Sequence, residues 1–109
     1  MEVHRVLGPG LLESAYQKCL AYEFDNRGIA YKAEFSLPVP YKAIELDCGY
    51  RLDFLVEDTI ILELKSVEKL LPIYEAQLLT YMKLLSAKEG LLLNFNTLRL
   101  KSGLKRFVL

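Results

Sequence analysis

The chain has 109 residues, and its fourteen basic and fourteen acidic side chains cancel, so no global field is available to hold a polyanion. At 52% hydrophobic and 26% charged it has the balance of a single globular domain, residues 1–109, burying roughly two thirds of its unfolded surface. No run approaches a membrane span and nothing at the start resembles a signal peptide, which makes the cytoplasm the expected location. His4 is the only histidine, which excludes multi-histidine metal sites and most nucleophile–histidine schemes. Cys19 and Cys48 form no CxxC or zinc spacing and are expected as reduced core residues.

Glu2 to Leu7 reads as the end of a helix stopped by Gly8-Pro9-Gly10. A second helix is expected from about Leu11 to Arg27, with Gly28 as its left-handed terminator and Leu12, Ala15, Tyr16, Cys19, Leu20 and Phe24 as its apolar stripe. Glu13 falls in its first turn, where the helix dipole favours a carboxylate. Tyr31 to Val39 is a plausible strand, bounded or kept at an edge by Pro38 and Pro40. After the central hairpin, Ser66 to Leu71 is a connector. Pro72 then opens a helix reaching Ser86 or Lys88, apolar on nearly all sides and so expected to be buried on two, with Gln77 as a polar side chain in apolar company. Leu91 to Phe95 is a short buried strand. A closing hairpin is expected from Leu98 to Lys101 and Leu104 to Leu109, around Ser102-Gly103. Arg99, Lys101, Lys105 and Arg106 make the only basic cluster, either a solvated strand face or a local patch for a phosphate backbone.

The stretch with most to say is Arg51 to Lys65. From Ile44 to Val56 apolar and polar residues alternate, the mark of a strand with one buried face, and after Glu57-Asp58-Thr59 the alternation resumes with Ile60, Leu62 and Leu64. Opposed residues of an antiparallel pair share a face, so the most compact register pairs Val56 with Ile60, Phe54 with Leu62 and Asp53 with Glu63. Opposed Cβ atoms lie about 5 Å apart, and Lys65 is one pleat further, about 7 Å along the strand. Like charges opposed across a sheet are destabilising. Either a divalent cation sits between Asp53 and Glu63 with Lys65 beside it, or the face is solvated and Lys65 and Arg51 neutralise the acids.

The order helix, three strands, helix, strand, with Asp on one hairpin strand and Glu-x-Lys on the next, resembles the PD-(D/E)XK nuclease superfamily. Gly10-Leu11-Leu12-Glu13-Ser14-Ala15-Tyr16 is similar to the motif that names the GxxExxY protein family, as are VHRVLGPGLLES, LDCGYRLDFLV, ILELKSVE, QLLTYMKLL and GLLLNFN in register. The resemblance implies an α/β (α+β) fold with a three-layer core, order αβββαβ plus a C-terminal strand, and a mixed central sheet. It implies Asp53 and Glu63 as metal ligands, joined by Glu13 and the Leu64 backbone carbonyl, and Lys65 as the catalytic lysine. Gln77 and Tyr81 match the QxxxY element of the RecB-like branch, which lies beside the active site. Tyr16 and Arg51 join the basic cluster as candidate nucleic-acid contacts. Leu52 stands where the superfamily name has proline, and family members carry more helix ahead of the Glu2 equivalent, which implies a truncated or internal start.

The implied cofactor is Mg²⁺ or Mn²⁺, a hard cation that takes one or two carboxylates plus waters and phosphate oxygens. The implied chemistry is in-line attack of an acidified water on a phosphodiester of DNA, less expectedly RNA, with Lys65 orienting that water or taking up its proton. The competing reading is a non-catalytic nuclease-fold module that binds nucleic acid or a protein partner. In either case the C-terminal strand Phe107-Val108-Leu109 is an edge through which two copies could pair as a homodimer.

Overall fold

The computed structural model of the chain describes residues 2–109. Its helices are α1 (Glu2–Leu7), α2 (Glu13–Asn26) and α3 (Pro72–Leu85). Its strands are β1 (Tyr31–Ser36), β2 (Val39–Tyr41), β3 (Ile44–Leu46), β4 (Arg51–Val56), β5 (Ile60–Lys65), β6 (Glu89–Asn94) and β7 (Leu104–Val108). Helix ends follow local chemistry. Gly28 takes φ 67°, a conformation costly for any residue with a Cβ, and lets the Ile29 N–H reach back to the Phe24 carbonyl at 3.0 Å. Pro72 starts α3, where its missing N–H costs nothing, and Ser86 ends it in the left-handed region.

Five strands form one sheet in the order β1-β4-β5-β6-β7, antiparallel throughout except for β5 beside β6. That parallel pair needs a crossover, and α3 supplies it. The β4–β5 hairpin has the register expected from parity, Val56 with Ile60 and Phe54 with Leu62. Its turn is closed by Thr59 N–H to the Val56 carbonyl at 3.0 Å, with both Glu57 and Asp58 at positive φ. This is the mixed α/β, three-layer arrangement that the element order implied.

The single packed face expected from alternation is in fact two. Phe54, Val56, Leu62 and Leu64 join Val3, Tyr16, Phe95 and Leu100 beneath α1 and α2. Leu55 and Ile61 join Leu78, Tyr81 and Met82 beneath α3. Short apolar strands read from pattern alone do not reveal how many faces are covered, and the crossover helix covers the second. Conversely α3 buries one side only, with Leu78, Tyr81 and Met82 inward and Ile73, Gln77 and Thr80 exposed. Gln77 therefore meets solvent rather than apolar company.

Three other expectations give way. The alternating run from Ile44 to Val56 is not one strand: β3 pairs only with β2, in a separate two-stranded arm whose residues 40–51 are all exposed. Cys48 lies on this arm and is exposed, while Cys19 is half-buried, so neither is a full core residue. Gly49, at φ 76° and with its N–H on Asp47 Oδ1, breaks the run. Instead of a closing hairpin, Leu100–Gly103 forms a 3-10 turn and β7 returns alongside β6. The turn fits because Gly103 lies against the Asn94 backbone, where a Cβ would come within 2.3 Å of the carbonyl oxygen.

Among the described residues no helix is long and apolar enough to cross a membrane.

Candidate active site

The regular ladder stops at Asp53. On one side β1 and β4 pair from Tyr31 with Val56 to Ser36 with Arg51, but Glu34, opposite Asp53, is left out and has φ 50°. On the other, the β4–β5 ladder ends at Phe54 with Leu62, one residue short of Asp53 with Glu63. Side chains replace the lost backbone bonds. Asp53 N–H donates to Glu63 Oε1 at 3.2 Å, and Leu64 N–H donates to Asp53 Oδ2 at 2.8 Å. The alternation fails here as well: Leu52 packs with the α3 cluster although Phe54, two residues on, packs beneath α2.

The two acids are thus held together by the strands that carry them, and both are withdrawn from water. Glu63 is 8% exposed and Asp53 half-buried. Burial first, then the charge of Asp53, pushes the Glu63 carboxyl up to about 8. Asp53 is also raised, by burial, although the Leu64 N–H and the nearby Lys65 charge pull the other way. At neutral pH the pair holds a proton in place of a second negative charge. Among the described residues no lysine or arginine closes a salt bridge with either acid. The Lys65 ammonium instead rests 4.6 Å from the centre of the Tyr74 ring, a cation–π contact that keeps it on the α3 side of the sheet.

Helix α3 closes the site with Tyr81, whose phenol is raised by burial and by the charge of Glu63, and which has the Gln77 amide beside it. From the other helix layer Gln17 Nε2 donates to the Asp53 carbonyl at 3.4 Å. The end of β5 is anchored by Ser66 Oγ to the Leu11 carbonyl and by Phe95 N–H to the Lys65 carbonyl at 2.8 Å. Asn94, buried, clamps the Val67 backbone with both ends of its amide, at 2.9 and 3.1 Å.

Of the residues singled out from the sequence, Asp53, Glu63, Lys65, Tyr81 and Gln77 gather at one place. Glu13 does not complete a larger cluster: it is exposed at the start of α2, and among the described residues no three His, Cys, Asp or Glu side chains are close enough to share a metal ion. Tyr16 is fully buried, stacked on Phe95 at 4.3 Å. Its hydroxyl donates to the Gly8 carbonyl and accepts from Leu11 N–H, so it anchors the loop before α2 and offers no surface to nucleic acid. The basic cluster is divided: Arg99 and Lys101 lie at the 3-10 turn, while Lys105 and Arg106 are drawn onto Glu75 and Glu89 at 3.0 and 2.6 Å. Arg51 is exposed and donates to Ser36 Oγ. Sequence reasoning missed Gln17, Glu34 and Tyr50, none of which has a motif; the charge of Glu34 raises Asp53 and the Tyr50 ring leans on Tyr81.

The donor set suits a hard divalent cation: two carboxylates, side by side, in salt-bridge contact with no basic side chain among the described residues and half-lined by backbone N–H groups that leave oxygen lone pairs free. A mixed sheet flanked by helices on both faces, with an Asp on one hairpin strand and Glu-x-Lys on the next, defines a nuclease-like fold. The chain belongs to the PD-(D/E)XK nuclease superfamily, whose family model matches residues 1–107. No curated protein and no solved structure matches it in the same comparisons.

Proposed function

We propose that this protein is a metal-dependent nuclease that hydrolyses phosphodiester bonds of DNA, with Asp53 and Glu63 holding Mg²⁺ or Mn²⁺ and Lys65 as the catalytic lysine. The observation that carries the reading is the carboxylate pair: two acids brought together on adjacent strands in a half-buried site, with no basic side chain in salt-bridge contact among the described residues. Such a pair is unfavourable in isolation and becomes favourable when a divalent ion takes the proton's place. PD-(D/E)XK nucleases usually use divalent metals. When bound, the cation supplies Lewis-acid stabilisation of phosphate charge and acidifies the attacking water. Lys65 orients that water and carries its proton, or stabilises the crowded phosphorane. The Leu64 carbonyl is a further candidate ligand on the same strand, and Tyr81 with Gln77 lines the approach. Glu13 enters the reading only if the α2 start closes on the site once substrate is bound.

The test is calorimetric titration of Mg²⁺ and Mn²⁺ into the intact protein and Asp53→Asn, followed by incubation of both with labelled single- and double-stranded DNA. Millimolar or tighter binding and cleavage, both lost in Asp53→Asn, are expected. Absence of both from the intact protein would overturn the reading and leave a binding module of nuclease fold.

A further inference from the structure

Beside the acids, on the outer side of α3, lies an open groove of about 370 Å³ lined by Val39, Tyr50, Ile73, Gln77, Thr80 and Tyr81. One wall belongs to the site already described, since Tyr81 feels the charges of both Glu63 and Asp53. The other is Tyr50, at the base of the β2–β3 arm. Its backbone is fixed by Leu37 N–H donating to the Tyr50 carbonyl at 2.9 Å, yet the residue is 45% exposed. The two rings are 6.1 Å apart and inclined at 55°, too close to admit a third ring between them, and Tyr50 is the exposed member of the pair while Tyr81 is buried.

We infer that the groove receives one unpaired nucleobase of the strand whose phosphate is held at Asp53, Glu63 and Lys65, with the exposed Tyr50 ring as the stacking platform. The inference rests on the nuclease reading for the position of the phosphate. Continuity favours a base as the occupant, because Tyr81 is both a wall of the groove and a neighbour of the two acids. Charge agrees: Arg51, next to Tyr50, is exposed and free of any carboxylate partner among the described residues, and Lys65 sits on the same side. A flat ring stacks on tyrosine whatever its identity. The exposed Gln77 amide offers one donor and one acceptor to a base edge. A paired base keeps its faces inside the helical stack and must be unstacked to leave it, so single-stranded or frayed DNA fills the groove at least cost. The substrate class is therefore a strand with an unpaired nucleotide at the scissile position.

The test is fluorescence of a short single-stranded DNA carrying 2-aminopurine, titrated with the protein in EDTA, alongside Tyr50→Leu, Tyr50→Phe and Asp53→Asn. Quenching on binding is expected for the intact protein, Tyr50→Phe and Asp53→Asn. With Tyr50→Leu the quench disappears and affinity falls about 10-fold, within the range for loss of one base–aromatic stack. A fully paired blunt duplex with G·C-clamped ends is expected to bind more weakly and without quench. Equal quenching and affinity in Tyr50→Leu, or equal affinity for the clamped duplex, would overturn the proposal. Cleavage with Mg²⁺ is read separately. Cleavage untouched by Tyr50→Leu with unchanged quenching sinks the stacking site and spares the nuclease reading. Tyr50-dependent quenching without cleavage does the reverse.

Discussion

Asp53 and Glu63 are joined by the Asp53 backbone N–H donating to Glu63 Oε1 at 3.2 Å, while Leu64 N–H donates to Asp53 Oδ2 at 2.8 Å. Each acid thus fills a gap in the ladder left by the other's strand. The pair is a structural splice and, in the proposed reading, a pair of metal ligands, and the two roles separate in their dependence on charge. An uncharged amide still accepts a backbone N–H but binds a cation poorly.

That separation gives a pH dependence with a definite sign. The Glu63 carboxyl is raised from 4.5 to about 8, so the folded state binds its proton more tightly between those limits. The associated stability is complete below the unfolded value and drains away as pH rises through the folded one. In EDTA the Tm is expected to fall by roughly several degrees between pH 5 and 9. Asp53, shifted in the same direction, adds to the slope. Thermal unfolding followed by circular dichroism reads it, with Glu63→Gln flattening the profile and millimolar Mg²⁺ restoring stability at the alkaline end. A slope that persists in Glu63→Gln would place the titrating group elsewhere.

Lys65 closes no salt bridge with either acid and lies over Tyr74. Lys65→Met is therefore expected to leave Mg²⁺ affinity within a few-fold and the fold intact, while lowering the hydrolysis rate by about 10²–10⁴, the range for a lost proton-handling group. Single-turnover kinetics at saturating metal make the comparison. Metal affinity falling in parallel with rate would mean that the lysine shapes the cation site rather than the chemistry.

Two glycines differ in what stands against them. A Cβ at Gly103 would meet the Asn94 carbonyl oxygen at 2.3 Å, whereas one at Gly90 would meet Met82 Sδ at 2.7 Å, the flexible part of a side chain. Gly103→Ala is expected to cost about 1–3 kcal/mol, as overpacking against a backbone does, and Gly90→Ala less because methionine yields. Urea denaturation ranks them, and the reverse order would refute the packing argument.

The β4–β5 turn holds Glu57 and Asp58 both at positive φ, which side chains resist. Glu57→Gly is expected to raise stability by roughly 0.5–1 kcal/mol, with the exposed Lys32–Asp58 ion pair left in place. No gain in the urea midpoint would mean that neighbouring contacts, not the turn, dictate this backbone.

The hairpin register and the meeting of Asp53 with Glu63 were legible because parity is local: two alternating runs and a short polar turn leave few compact pairings. Lys65 followed from its spacing to Glu63 on the same strand, whereas Gln77 and Tyr81 were marked by the family resemblance. What sits on each face was not legible, since whether α3 covers Leu55 and Ile61 depends on a crossover formed by distant segments. The same limit explains the strand expected through Cys48, where alternating residues continue although the chain has left the main sheet. Tyr16 looked like a surface ligand because a motif marks a position without telling whether its hydroxyl is already engaged, here by Gly8 and Leu11. The basic cluster dispersed because Glu75 and Glu89, remote in sequence, reach two of its members.

The clamp of Asn94 on Val67 joins residues 27 apart in the chain, whereas Asp53 and Glu63 are separated by one tight turn. Closing a short loop is fast and loses little entropy, and a parallel partner must wait for its crossover to form. In the order of assembly the two acids therefore meet first, on a hairpin that needs nothing else to set its register. The clamp comes later and locks the lysine-bearing strand end to β6. A chain emerging during synthesis therefore brings its two opposed acids together before it completes the groove whose wall Tyr81 they neighbour.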